Sequence, residues 1–289
     1  INGVPVAHLI DSLPETGFIA LQVHAPRAGG DDVGKRIRWR NIRIKSGADL
    51  RTALPTDCPI INLNLNDLTA AEKAQGWRLL FNGKDLTGWR SAFQTTAPTT
   101  GWEVADGILT IAGSNGSESR SYGDLVTTEN FHAFELTFDF RLTEGANSGI
   151  KYFVDEKLDA AGGSAIGLEY QLLDDERHPD AKLGAAGNRT LASLYDLIPA
   201  YQLEKRFHGK FTDWQSGRIV VQPHNIVQHW LNGFLVVEYE RKSNIFAALV
   251  ARSKYKDWTG FGLNDAGPVL LQDHGNTVAF KNIKIREIK

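Results

Sequence analysis

The sequence contains no methionine and a single cysteine, Cys58, and such absences exclude several classes of protein. One cysteine cannot form an intramolecular disulfide, so the chain has no disulfide framework, although secretion itself stays open. No apolar run reaches the roughly 20 residues that cross a bilayer, and no signal segment opens the chain. Positive charge is not in excess, with 32 Lys and Arg against 34 Asp and Glu, which argues against a nucleic-acid partner.

The length of 289 residues corresponds to about two domains of ordinary size. The 28 Gly, 7 Trp and 14 Phe suit short strands, many turns and an aromatic core or groove. The chain opens on Ile1 without an initiating methionine, in a pattern typical of the middle of a strand pair. We therefore expect further sequence to precede it.

Three blocks near the start of the chain recur, in the same order, near its end. The matches are residues 1–4 with 231–234, residues 17–24 with 267–274, and residues 37–44 with 278–285. The first block of each copy contains an Asn-Gly pair between apolar runs, which predicts a two-residue hairpin. In the third block of both copies, the alternation of apolar and polar residues slips by one position. This slip predicts a bulge near Asn41 and Asn282.

The repeat predicts three parts. Residues 1–46 are read as the closing strands of a truncated first copy, residues 47–75 as a linker with a short helix, and residues 76–289 as a complete second copy. The helix is predicted from a capping box formed by Thr69 and Glu72. Because residue 1 aligns with position 231, most of a first domain is expected upstream.

The complete copy reads as an all-β domain. Apolar and polar residues alternate strictly over 134–142, the pattern of a half-buried strand. Similar alternation recurs at 150–154, 166–173, 218–222, 226–231, 234–239, 269–274 and 278–286. One helix is predicted over 244–255, with Ser243 as its N-cap. Many short strands without βαβ spacing favour a two-sheet sandwich or jelly roll with few short helices.

Ordered motifs in this copy resemble one family. They are Leu80-Phe-Asn-Gly-Lys-Asp-Leu-Thr-Gly-Trp89, Trp102 to Gly107, Gly145-Ala-Asn-Ser-Gly149, Glu169-Tyr-Gln171-Leu-Leu-Asp-Asp175, His178-Pro-Asp180, Gly187-Asn-Arg-Thr190, Ser193-Leu-Tyr-Asp196, His229 to Gly233 and Leu271-Gln-Asp-His-Gly275. Over residues 76–289 the chain resembles the 3-keto-disaccharide hydrolase family, also called domain of unknown function 1080. The resemblance implies a concanavalin A-like jelly roll and a bacterial, exported enzyme, periplasmic or extracellular, that acts on glycosides oxidised at C3.

The chemistry of such a substrate sets what the site must contain. A C3 carbonyl acidifies the C2 hydrogen, so a base that removes it can expel the C1 leaving group, and water can then add to the enone. The site needs a base, an acid and a group that stabilises the enolate, either hydrogen-bond donors or a divalent cation. A cofactor is thus either not required or a divalent cation.

Glu169 and Gln171 alternate on one face of a predicted strand whose other face is apolar. Glu169 is the first catalytic candidate, chiefly through the family resemblance, and Gln171 a substrate-binding candidate. The same pattern also fits an outer face that is simply solvated.

The following loop, residues 174–180, concentrates carboxylates and an imidazole. Asp175 and His178 are candidate ligands for a cation, although the spacing matches no established metal loop. The alternative is an acidic turn that bonds its own backbone. Arg189 either braces this loop or anchors the substrate.

The segment Gln272-Asp273-His274 supplies further candidates: Gln272 for substrate binding, Asp273 and His274 for catalysis. The first copy keeps Gln22 and His24 but has Val23 in place of the Asp, so a shared role of the His could equally be structural. Lys151 is predicted to stabilise the enolate and Tyr152 to position the sugar. His229 is interpreted as structural.

Two other functions compete with a 3-keto-glycoside hydrolase or lyase. A noncatalytic carbohydrate-binding module is the alternative, because lectin-like sandwiches serve both roles. An ordinary glycosidase with two carboxylates ranks third, since the chain lacks an alternating Glu-x-Asp-x-x-Glu strand. In each case the expected partner is a small glycoside or an oligosaccharide.

Overall fold

A computed structural model describes residues 8–10, 16–23, 25, 28–31, 33–44, 60–114, 122–158, 164–203 and 209–289. The chain divides into two compact units, residues 1–64 and residues 65–289. The Asn2-Gly3 hairpin, His24 and the greater part of the linker before residue 60 lie outside the described residues.

In the first unit, β1 (His8–Ile10) and β2 (Ile60–Asn62) form a parallel pair. Residues 16–23 and 33–44, where the sequence predicts closing strands, form neither helix nor strand. A strand needs a neighbour for its N–H and C=O groups. The described part of this unit supplies none for these two segments. The division of the chain at residues 46 and 75 stays a prediction.

The second unit is built mainly of strands. They are β3 (Arg78–Leu79), β4 (Trp89–Ser91), β5 (Trp102–Ala105), β6 (Ile108–Ile111), β7 (Leu125–Thr127), β8 (Phe134–Leu142), β9 (Asn147–Asp155), β10 (Ile166–Leu173), β11 (Gln215–Val221), β12 (Ile226–Leu231), β13 (Phe234–Glu240), β14 (Leu270–Leu271) and β15 (Val278–Glu287). The helices are α1 (Ala70–Ala74) and α2 (Asn244–Val250), and a 3-10 turn covers Pro179–Lys182. Within the described residues, no helix has the length and apolar character needed to cross a membrane.

Two antiparallel sheets make up this unit. One has the strand order β10-β9-β14-β7-β4, and the other β13-β12-β11-β8-β15-β6-β5 with β3 beside β15. Their inner faces share one apolar core, where the Phe138 ring lies 5.3 Å from that of Tyr170 and the Phe134 ring 6.4 Å from that of Tyr152. The unit is therefore an all-β sandwich, as the sequence predicts.

The predicted helix caps are confirmed. Thr69 Oγ1 accepts a hydrogen bond from the Glu72 N–H at 3.1 Å, and the Thr69 N–H donates to Glu72 Oε2 at 2.8 Å, so the capping box is complete. Ser243 caps α2 as expected. That helix ends at Val250, earlier than the predicted Tyr255, because residues 251–255 continue as turns.

The predicted backbone irregularities of the second copy are also confirmed. Asn232 and Gly233 both have positive φ, 49° and 84°, and connect β12 to β13 as a hairpin. Asn282 has a φ of 52°, and the pairing of β15 with β8 shifts between Lys281 and Lys284. This shift is the bulge that the parity change predicts.

The bulge also fastens the start of the unit to its last strand. The Asn66 N–H donates to Asn282 Oδ1 at 2.7 Å, and the Asn282 N–H donates to Asn66 Oδ1 at 2.8 Å. Asn282 Nδ2 donates to Asp139 at 2.7 Å. These bonds satisfy the N–H that the bulge removes from the ladder.

Candidate functional site

Strand β10 separates its side chains onto two faces. Leu168, Tyr170 and Leu172 point into the core between the sheets, so Glu169 and Gln171 point away from it. Both polar residues are nevertheless buried, at 5% and 1% exposure. Buried polar groups need partners other than bulk water. This face is therefore not the simple solvated surface that the sequence left open.

Strand β9 continues the same face. Lys151 lies opposite Glu169 and Gly149 lies opposite Gln171 in the antiparallel register, so their side-chain positions share one side of the sheet. A Cβ placed on Gly149 would come within 2.4 Å of Glu169 Oε1. Gly149 thus leaves the space that the Glu169 carboxylate occupies.

Gln272, the residue directly after β14, lies on the same face. Its N–H donates to the carbonyl oxygen of Gly149 at 3.0 Å, and its side chain is buried. In the described part of the chain, the buried amide oxygens of Asn147 and Gln171 have no hydrogen-bond partner. Such an acceptor costs roughly 1–3 kcal/mol. A ligand with hydroxyl donors would remove that cost.

Two imidazoles lie beside this face. The His274 and His178 ring centroids are 6.2 Å apart, and Asn147 Nδ2 lies 3.3 Å from His274 Nε2. The pKa of His178 is lowered, first by burial and then by the neighbouring His274. His178 Nδ1 accepts the Asp180 N–H at 3.2 Å, so this ring is neutral where it caps the loop.

A charged cluster flanks Glu169 along the edge of β10. Arg189 pairs with Asp180 at 3.0 Å and with Asp196 at 2.7 Å. The Tyr195 hydroxyl donates to Asp180 Oδ2 at 2.8 Å, and its N–H donates to the Glu169 carbonyl oxygen at 3.0 Å. Since Arg189 already has two carboxylate partners, the structure favours its role as a brace over that of a substrate anchor.

Lys151 lies on the predicted face but is held by protein groups. Its ammonium donates to Ser164 Oγ and, at 3.1 Å, to the carbonyl oxygen of Ala165. The Ser164 hydroxyl in turn donates to Asp124 Oδ2 at 2.6 Å. An ammonium has three donors, so one N–H of Lys151 is left for a ligand.

The prediction that Tyr152 positions a sugar is wrong. Its side chain lies in the core, where the hydroxyl is 2.9 Å from His229 Nε2 and 2.8 Å from the Tyr239 hydroxyl. His229 Nδ1 also bonds the Ala192 carbonyl oxygen at 3.0 Å, and burial lowers the pKa of His229 to about 4. The interpretation of His229 as structural is confirmed.

The structure also corrects the catalytic role predicted for Asp273. Asp273 is fully buried, and Oδ2 accepts the N–H groups of Tyr122 and Gly123 at 3.1 and 3.0 Å. Its Oδ1 accepts the Gly275 N–H at 3.0 Å. A carboxylate that accepts three backbone N–H groups holds the surrounding loops together, and this bonding favours a structural role over a catalytic one.

The metal prediction gains no support from geometry. Asp175 Oδ1 accepts the Leu191 N–H at 2.8 Å, while His178 caps its own loop beside His274. Within the described ranges, no three His, Cys, Asp or Glu side chains lie close enough to hold a metal ion. The loop behaves instead as the acidic turn that was the alternative. Asp174 Oδ1, for example, accepts the Glu176 N–H of its own turn at 3.1 Å.

Sequence reasoning missed four polar residues around this face: Asn147, Asp124, Ser164 and Tyr195. Asn147 and Tyr195 lie within motifs that resemble the family, and this resemblance could have identified them. Asp124 and Ser164 gave none, because their connection to Lys151 runs between segments far apart in the chain.

A separate cavity of about 370 Å³ lies beside α2. Its lining includes Phe246, Trp258 and Phe261, with Lys242 and Lys256, and none of the polar residues of the β9 and β10 face.

Residues 76–286 match the model of the 3-keto-alpha-glucoside-1,2-lyase-like domain. The chain belongs to this family. The resemblance seen in the sequence motifs is thereby confirmed, and the matched range contains every residue of the polar face described above.

Relatives agree with this membership. A 3-keto-disaccharide hydrolase of Bacteroides thetaiotaomicron is 34% identical over 242 residues, which cover 77% of this chain and 82% of that protein. A crystal structure of a candidate glycosyl hydrolase from Parabacteroides distasonis ATCC 8503 matches with a TM-score of 0.66 at 29% identity, covering 78% of this chain and 100% of the other. A second from the same strain has a TM-score of 0.53 at 23% identity, covering 73% and 99%, and supports the fold alone. The predicted concanavalin A-like jelly-roll sandwich is confirmed.

Proposed function

We propose that this chain is a carbohydrate-active hydrolase that cleaves the glycosidic bond of 3-keto-glycosides. The family and the relative named a 3-keto-disaccharide hydrolase support this activity. The observation that carries the proposal is the buried Glu169 carboxylate on the same face as the unpaired amide oxygens of Asn147 and Gln171. A sugar offers hydroxyl donors to both oxygens, and its 3-keto form offers an acidic C–H bond to the base.

Glu169 acts as the general base in this proposal. It takes the C2 proton, and the electron pair of the C–H bond moves to the C3 carbonyl oxygen to form an enolate. The remaining N–H of Lys151 stabilises the developing negative charge. When the enolate collapses, the C1–O bond breaks and the departing oxygen takes a proton from His274. Water then adds to C1 and C2 of the enone and restores a 3-keto sugar.

The decisive experiment is turnover of a 3-keto-glucoside or 3-keto-trehalose by the Glu169→Gln variant. The amide keeps the shape of the carboxylate but is a far weaker base, so we expect turnover to fall at least tenfold with folding intact. Glu103→Gln is the matched control, because Glu103 is exposed on β5 in the other sheet. Near-normal turnover by Glu169→Gln would remove Glu169 from the mechanism.

Two further arms of this assay refine the proposal. Addition of a chelator tests whether a divalent cation takes part. Release of the enone before the hydrated sugar, followed by ultraviolet absorbance, separates a lyase from a hydrolase. A chain that binds the unoxidised glycan but never turns over the 3-keto form is a carbohydrate-binding module, and the enzymatic proposal is then wrong.

We also propose that residues 1–46 correspond to closing strands of another copy of the same domain and that residues 47–75 connect the two copies. The support is the three repeated blocks. It is strengthened by Asn41, which has a φ of 56°, close to the 52° of the corresponding Asn282.

A further inference from the structure

Lys151 carries its charge inside the protein. It lies on β9 opposite Glu169 and is 4% exposed. A buried ammonium is costly unless hydrogen-bond acceptors and negative charge replace the water that it has lost. The groups that replace this water therefore decide which way the N–H bonds of Lys151 point.

Two acceptors hold the ammonium. One is the hydroxyl oxygen of Ser164, and the other is the carbonyl oxygen of Ala165 at 3.1 Å. With one acceptor, the other two N–H bonds could turn about that hydrogen bond, whereas two acceptors stop this turning. Since the three N–H bonds of an ammonium point to corners of a tetrahedron, the third then has one fixed direction.

Asp124 sets the orientation of the Ser164 hydroxyl. A hydroxyl has one hydrogen to donate, and Ser164 donates it to Asp124 Oδ2 at 2.6 Å. Towards Lys151 the hydroxyl can therefore only accept. The Asp124 carboxylate, one hydroxyl away from the lysine, also favours the charged form of the amine. Ser164 and Asp124 thus act on Lys151 in series.

The same carboxylate connects Lys151 to the segment that carries His274. Asp124 Oδ1 accepts the N–H of Asp273, the residue before His274, at 2.9 Å. Asp273 returns the contact, since its Oδ2 accepts the Gly123 N–H at 3.0 Å. Asp124 is 1% exposed, so these bonds form inside the protein. One buried carboxylate thus fixes the lysine and the histidine segment relative to each other.

We propose that Ser164 and Asp124 are positioning residues that direct the third N–H of Lys151 towards the C3 oxygen of the substrate. Asp124 orients the Ser164 hydroxyl, and the hydroxyl aligns the ammonium. Both residues act through the lysine and not on the sugar itself. Their roles rest on the proposed function, in which Lys151 stabilises the enolate.

The first test needs no substrate. The ammonium hydrogens of Lys151 are observed by nuclear magnetic resonance of isotope-labelled protein and are identified by their loss in Lys151→Arg. In Ser164→Ala one acceptor is lost and the ammonium can turn, so we expect its hydrogens to exchange with water at least tenfold faster. Unchanged exchange in a folded Ser164→Ala variant overturns the proposal.

Ser253→Ala is the matched control. Ser253 is as buried as Ser164, at 7% exposure, but its hydroxyl donates to the Val250 carbonyl oxygen beyond the end of α2. Exchange at Lys151 should be the same in this variant as in the wild type. Acceleration by both substitutions alike would show a general loosening of the fold and overturn the specific role of Ser164.

Asp124→Asn tests the second member of the series. It removes the negative charge behind the hydroxyl, so exchange at Lys151 should again be faster than in the wild type. Because Asp124 also holds the Asp273 N–H, this variant can lose its fold, and Ser164→Ala then decides alone. A folded Asp124→Asn variant with wild-type exchange would remove Asp124 from the proposal.

The second test is turnover of the 3-keto-glucoside. Ser164→Ala keeps the polar side chains of the face but misaligns the donor to the enolate, which forms only during the reaction. We expect kcat to fall at least tenfold while the Michaelis constant changes less than twofold, and Ser253→Ala should keep both. A raised Michaelis constant with unchanged kcat would overturn the positioning role.

The two tests separate this proposal from the proposed function. A wild-type chain that never turns over the 3-keto-glucoside shows that the proposed function is wrong, and the roles of Ser164 and Asp124 in catalysis fall with it. Wild-type turnover together with a normal kcat for Ser164→Ala overturns the positioning role alone.

Discussion

Lys151 and Tyr152 are consecutive residues of β9, yet they belong to two differently built regions of the protein. Tyr152 lies in the core, where Tyr239 and His229 satisfy its hydroxyl. Lys151 lies on the opposite face, where the amide oxygens of Asn147 and Gln171 have no partner in the described structure. The completed network stabilises the fold, whereas the incomplete one is the place where we propose that the substrate binds.

The largest effect is expected from Gly149→Ala. The added Cβ would meet Glu169 Oε1 at 2.4 Å, so the carboxylate must move. Displacement of a catalytic group by about 1 Å costs on the order of a hundredfold in rate, and we expect turnover to fall by about that factor. Gly217→Ala is the control. Its Cβ would meet Phe138 in the core, so stability should fall while turnover per folded molecule is kept.

In contrast to Gly149→Ala, a substitution in the core should lower stability and leave turnover nearly unchanged. His229→Phe leaves the Ala192 carbonyl oxygen and the Tyr152 hydroxyl without their imidazole partner. We expect the free energy of unfolding to fall by about 2–3 kcal/mol in urea titrations. Turnover per folded molecule should change less than about twofold. A large loss of turnover at unchanged stability would place His229 in the catalytic machinery and would contradict its structural role in the core.

The acidic loop gives a prediction that depends on pH. Burial raises the pKa of Asp175 to about 7, from 3.8 when unfolded. The folded chain thus holds a proton that the unfolded chain releases, and this carboxyl contributes a loss of stability as pH rises from about 4 to 7. Asp175→Asn keeps an oxygen for the Leu191 N–H and removes the titration. At pH 8 we expect the variant to be more stable by about 4 kcal/mol, because each unit of pKa shift corresponds to about 1.4 kcal/mol.

The same substitution should have little effect on stability below about pH 3, where the wild-type carboxyl is protonated in both states. Asp174→Asn serves as the contrast. Its two oxygens accept N–H groups on both sides, from Gly145 and from Glu176, so loss of one oxygen should destabilise the fold at neutral pH. Equal pH profiles for Asp175→Asn and the wild type would contradict the raised pKa.

The smallest change in stability is expected for Gln171→Leu. Its amide oxygen is buried without a partner among the described residues, so removing it should raise the free energy of unfolding by about 1 kcal/mol. The Michaelis constant for the 3-keto-glycoside should nevertheless rise about tenfold, because a hydroxyl of the sugar loses its acceptor. An unchanged Michaelis constant would show that the unpaired oxygen does not bind substrate.

Much of the fold followed from local patterns. The capping box at Thr69, the Asn232-Gly233 hairpin and the bulge at Asn282 each depend on a few neighbouring residues, and each is present. Strand β10 was predicted with its observed limits, since apolar and polar residues alternate along it. The extent of α2 was less predictable because propensity alone does not fix where a helix ends.

The site was predicted less well, and part of the error was avoidable. Successive residues of a strand point to opposite faces, so Lys151 and Tyr152 cannot both line one site. What the sequence could not supply is the register, which sets Lys151 opposite Glu169 and thereby decides that Lys151, and not Tyr152, lies on the polar face of the sheet. Long-range bonds such as Ser164 to Asp124 are likewise invisible in a linear pattern.

The reciprocal bonds between Asn66 and Asn282 place the first residues of the second unit next to its last strand. The polypeptide therefore enters this sandwich beside the bulge of β15. Its first residues gain these partners only when the last strand of the unit has been made.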